Sequence, residues 1–97
     1  MLPSMSHVVD NRKKLLARVN RLIGQMNALK RDIESAATDG ECDAVMQQLS
    51  SIRGAMNGLT MLFLEEHVRE HIARGETAAD REQAADNFLA ALKSYRT

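Results

Sequence analysis

Residues 67–71 read HVREH, two imidazoles one helical turn apart with a glutamate between them. On a helix this spacing sets His67 and His71 on one face, near enough to share a metal ion. Read as H-x-x-E-H, it is also the inverted zinc-peptidase signature, in which the glutamate activates a water. A peptidase needs a third ligand downstream and a substrate cleft, and only one short predicted helix follows His71. Metal binding without catalysis accounts for more of the chain, because two further donors of suitable softness are present, Cys42 and His7. The plain alternative is a pair of solvated histidines among Glu65, Glu66, Arg69 and Glu70.

The elements that must position these donors follow from the apolar pattern. Leu15, Val19, Leu22, Met26, Leu29 and Ile33 recur at helical spacing and predict a first helix over about residues 10–36, with residues 1–9 as a flexible arm carrying His7. ATDG at 37–40 supplies a turn. A second seam, Cys42, Val45, Leu49, Ile52, Met56, Leu59 and Phe63, predicts a helix over 41–74 that stops at Gly75. Thr77 caps a third over 78–95, with Ala84, Ala85, Phe88, Leu92 and Tyr95 on one face. The expectation is a single all-α domain, 1–97, with two long antiparallel helices and a short C-terminal one.

Cys42 and His67 stand 25 residues apart. On one continuous helix that is roughly 37 Å. One chain cannot bring them to a shared ion, whereas antiparallel pairing of the second helices of two protomers would set Cys42 of one beside His67 and His71 of the other. The same pairing would cover an apolar seam that, at about 50 Å, is too long for a protomer of this size to bury.

Composition narrows the class. Apolar residues make up 44% of the 97-residue chain but aromatics only 3%, the composition of a helix former. The single cysteine excludes an internal disulfide and fits a reducing, cytoplasmic setting. No apolar run is long enough for a membrane span. The zero net charge conceals a division, because residues 1–31 hold seven basic residues against Asp10 alone. Lys14, Arg18 and Arg21 crowd this stretch, and Arg53 sits mid-helix 2 beside Gly54, Ala55 and Gly58. Such a stripe predicts a polyanion partner, and the scarcity of aromatics favours duplex backbone contacts over base stacking. The alternatives are a solvated face for the helix-1 charges and an interhelical anchor for Arg53.

RVNRLIGQMNALKRDIE (18–34), ECDAVMQQLSSIRGAMNGL (41–59) and HVREH together resemble the CsoR/RcnR family of bacterial metal-sensing repressors, over essentially the whole chain. The resemblance implies an antiparallel four-helix-bundle dimer, usually paired again into a tetramer. It also implies binding to double-stranded operator DNA without a helix-turn-helix, and release when an effector occupies the inter-protomer site. Arg18, Arg21 and Arg53 match basic positions implicated in DNA binding. His7, Cys42, His67 and His71 look like the donor set of the nickel/cobalt-responsive branch. Ni(II) or Co(II) is then the expected effector; Zn(II) suits the same donors, and Glu41 and Glu70 are further candidates near the metal. Copper sensors carry a second cysteine where His71 stands. The alternative is the formaldehyde-responsive branch, which uses the cysteine with an N-terminal proline amine, here Cys42 and, only if Met1 and Leu2 are removed, Pro3. Translation from Met5 would instead leave a free amine at Ser6, beside His7.

Overall fold

The computed structural model describes the backbone of residues 3–95 and the side chains of residues 11–95. Every regular element among them is helical: α1 (Pro3–Ser35), α2 (Asp39–His67), a π-helical turn (Val68–Ala73), α3 (Ala78–Leu92) and a closing 3-10 turn (Lys93–Tyr95). The all-α class and the order of two long helices and a short one match the sequence pattern. The chain divides into two compact units, Met1–Met61 and Leu62–Thr97.

Within the first unit, α1 and the following stretch of α2 form an antiparallel hairpin. Gln48 Nε2 donates to the Asp32 carboxylate, and Arg18 lies against Gly58; these two pairs run in opposite senses along the helices. Leu22 and Leu29 are buried, with Val45, Ile52 and Leu59 half-buried. Leu49 and Met56 remain about half exposed, as do Met26 and Ile33. The seam that the sequence presents as one therefore divides into two rows at seven-residue spacing. A single neighbouring helix covers only one side of a stripe this wide.

Both ends of this hairpin differ from the predicted bounds. α1 starts at Pro3 and so includes most of the segment expected to be an arm. Proline suits a first helical position, where the N–H it lacks would have no partner, and no glycine or proline intervenes before Gly24. Asp39 and Gly40, expected in the turn, already belong to α2. Thr38 does the capping: its hydroxyl oxygen accepts from Glu41 N–H at 3.1 Å and donates to Glu41 Oε1 at 3.0 Å. This is a relative of the capping box, and Asp39 and Glu41 in the first turn complement the helix dipole.

In the second unit the predicted helix end is replaced by a π-helical turn, in which each hydrogen bond spans one more residue than in an α-helix. That extra residue shifts the helical register beyond His67. α3 packs back on this turn, burying parts of Ala84, Ala85, Phe88 and Leu92 as its pattern predicts. Tyr95, expected on the same face, lies in the 3-10 turn and is exposed. Thr77 caps α3 by accepting from Asp80 N–H at 3.0 Å. Gly75 permits the close return: a Cβ there would lie 2.5 Å from Arg81 Cγ and 3.2 Å from its backbone nitrogen. Arg81 Nη1 also donates to the Gly75 carbonyl at 2.8 Å.

Candidate functional site

His67 ends α2 and His71 lies inside the π-helical turn. Their ring centroids are 4.8 Å apart with planes tilted by 42°, so the predicted pairing of the two imidazoles holds despite the altered helix. His67 is half-buried and His71 exposed. The glutamates nearby are engaged: Glu66 pairs with Arg69 at 3.5 Å, and Glu70 with Arg74 at 2.9 Å. The motif's own carboxylate is therefore held one turn along the helix by a guanidinium.

Cys42 is exposed in the first turn of α2, its backbone N–H donating to the Thr38 carbonyl at 3.0 Å. Glu41, one residue earlier, is occupied with Thr38. Cys42 belongs to the first unit and the histidine pair to the second. His7 falls on α1, and its side chain lies outside the described residues. Among the described residues, no three metal-ligating side chains gather in one place. Two borderline nitrogen donors fit an ion of the nickel, cobalt or zinc type and leave its remaining positions to be filled from elsewhere.

Lys14, Arg18 and Arg21 are exposed on α1 at spacings of four and three, one face of the helix. Arg18 flanks the buried seam, and its Nη1 would stand 3.0 Å from a Cβ on Gly58. Arg53 is exposed on α2, one helical turn from both Leu49 and Met56. Sequence reasoning named Gly58 only as a small neighbour of Arg53, and placed Phe88 only on an apolar face. In fact Phe88 stacks on His67, with centroids 6.0 Å apart and planes 14° from parallel. No periodicity could have supplied that pairing, since it depends on the turn between α2 and α3.

Comparison with known proteins agrees over almost the whole chain. The family described as metal-sensitive transcriptional repressor matches residues 11–94. A Serratia marcescens protein, described as an uncharacterized protein in the bioA 5′ region, is 50% identical over 92 residues, covering 94% of this chain and 98% of its own. The transcriptional repressor RcnR of Salmonella typhimurium is 41% identical over 91 residues, with the same coverage of both chains. Among solved structures, a variant of the formaldehyde-responsive regulator FrmR from Salmonella enterica serovar Typhimurium superposes with a TM-score of 0.80 at 35% identity. That match covers 90% of this chain and 96% of the other. An all-α hairpin with a short third helix, a paired-histidine turn and these matches identify the chain as a member of the CsoR/RcnR family, described as metal-sensitive transcriptional repressors, and as a repressor and not an enzyme.

Proposed function

We propose that the protein represses transcription by binding double-stranded operator DNA in its effector-free form, and that Ni(II) or Co(II) releases it. The observation that carries this reading is the His67–His71 pair, with rings 4.8 Å apart at the end of α2. Cys42 of a second protomer and His7 complete the donor set. A thiolate with several imidazoles suits Ni(II) and Co(II), and also Zn(II). Glu41 and Glu70 take part only after giving up Thr38 and Arg74. Pairing of two chains is supported by the exposed row Met46, Leu49 and Met56 on α2, which a partner helix would cover. A homodimer, or a homotetramer built from it, would duplicate the basic face and read a partly palindromic site.

Lys14, Arg18, Arg21 and Arg53 would contact phosphates, giving an affinity that falls steeply with salt. Control then follows from linkage: an effector that prefers the DNA-incompetent conformation weakens DNA binding by the factor that DNA weakens effector binding. With His7 on the same helix as Lys14, Arg18 and Arg21, ligation there would move the basic face directly. The cytoplasm, where the Cys42 thiol stays reduced, is the fitting compartment.

A second reading is favoured by the superposition on a formaldehyde-responsive regulator and by the exposure of Cys42. In it the effector is formaldehyde: the Cys42 sulfur adds to the carbonyl carbon, the C=O π bond opens, and the oxygen takes up the proton that the thiol gives up. Fluorescence anisotropy on DNA from the protein's own promoter, with Ni(II), Co(II), Zn(II), Cu(I) and formaldehyde in parallel, separates the two. Release by Ni(II) or Co(II) that is lost in His67→Ala and His71→Ala supports the metal reading. Release by formaldehyde alone, unaffected by His71→Ala, would replace it.

A further inference from the structure

The Phe88 ring reaches from α3 across the His67 imidazole in an offset, nearly parallel stack. A metal ion meets imidazole in the ring plane, along a nitrogen lone pair, whereas Phe88 covers a face. The stack thus restrains the ring without occupying either nitrogen, unlike the hydrogen bond that commonly orients a ligating histidine. The backbone at His67 is ordinary helix, with φ −62° and ψ −45°, so it leaves the ring's orientation to side-chain packing. α3 is well placed to supply that packing, because the Gly75–Arg81 approach and the Thr77 cap hold its first turn against the π-helical turn.

We propose that Phe88 is a positioning residue for His67, making α3 a working part of the effector site. The stack holds the His67 ring at its 42° tilt to His71, and an arriving ion meets a pair already ordered. Without the stack, binding itself must order the ring, and affinity falls. This inference rests on the reading of His67 as an effector ligand.

Two measurements on the full-length protein test it. In the metal-free protein, the His67 ring protons, assigned with His67→Ala, should be shifted upfield by the Phe88 ring current. Phe88→Leu should abolish that shift and weaken Co(II) binding, followed by visible absorption, by about tenfold. Phe88→Tyr should retain the shift and wild-type affinity, and Phe88→Leu should add no further loss in a His67→Ala background. Circular dichroism checks helicity; if the leucine variant loses it, Phe88→Met fills the same volume without a ring. Unchanged Co(II) affinity in a folded Phe88 variant whose ring-current shift is gone would overturn the proposal while leaving His67 as a ligand. Failure of tyrosine to restore affinity would overturn it too. Unchanged Co(II) affinity in His67→Ala is a different result: it removes the ligand reading, and the proposal with it.

Discussion

The Arg18 guanidinium lies over the bare α-carbon of Gly58, with Nη1 3.0 Å from where a Cβ would stand. One residue of the proposed DNA-binding face is thus seated on the partner helix by the absence of a side chain. A methyl group at Gly58 would push against the free end of a flexible side chain, which can move away without disturbing the helices.

Gly58→Ala should therefore separate folding from DNA binding. Alanine favours a helix interior over glycine by about 0.5–1 kcal/mol, so thermal unfolding should hold or rise. Operator affinity should fall toward that of Arg18→Ala, and the slope of log affinity against log salt should drop by about one. Wild-type DNA binding in Gly58→Ala, alongside a clear loss in Arg18→Ala, would show that the seat on Gly58 is immaterial.

Thr38 carries the start of α2 by both accepting from Glu41 N–H and donating to its carboxylate. Thr38→Ala should lower stability by about 1 kcal/mol. In a domain of this size that is ~4–8 °C in Tm, measured at fixed protein concentration. Thr38→Ser should restore most of it. Thr38→Ala also frees the Glu41 carboxylate, so an increase in metal affinity in that variant would reveal Glu41 as a ligand held in reserve.

Leu49 and Met56 are about half exposed on α2, and a charge there would have to be desolvated if a second chain covers them. Leu49→Glu should shift sedimentation toward monomer and remove DNA binding together with the metal response. Ser50→Glu, on a neighbouring exposed position, is the control expected to leave assembly intact. Unaltered sedimentation of Leu49→Glu would place the protomer interface elsewhere.

Gly75→Ala should loosen α3, because the added carbon would meet Arg81 at 2.5 Å from Cγ and 3.2 Å from its backbone nitrogen. Backbone cannot swing aside as a side-chain tip can, so a destabilisation of ~1–3 kcal/mol follows. Hydrogen exchange should rise in residues 78–92 and leave the α1–α2 hairpin protected. Uniform change throughout would mean that α3 does not open as a separate element.

Helical periodicity is a local property, and what depended on it was legible from residue types alone. The α1 and α2 seams and the shared face of His67 and His71 follow from spacings of three and four, and the Thr77 cap from a residue type suited to a helix start. The family followed as well, from motifs along the same helices. Periodicity names apolar positions without naming what covers them. Tertiary structure alone decided that Leu22 and Leu29 are buried while Met26 and Ile33 stand half in solvent. It also decided that Arg18 rests on Gly58, and the helix widens to a π-turn at HVREH where α3 packs back on it. The stack of Phe88 on His67 is of the same kind. Which side chains meet is set by where turns return the chain and how closely helices approach, and at Gly75 and Gly58 that approach depends on a missing Cβ.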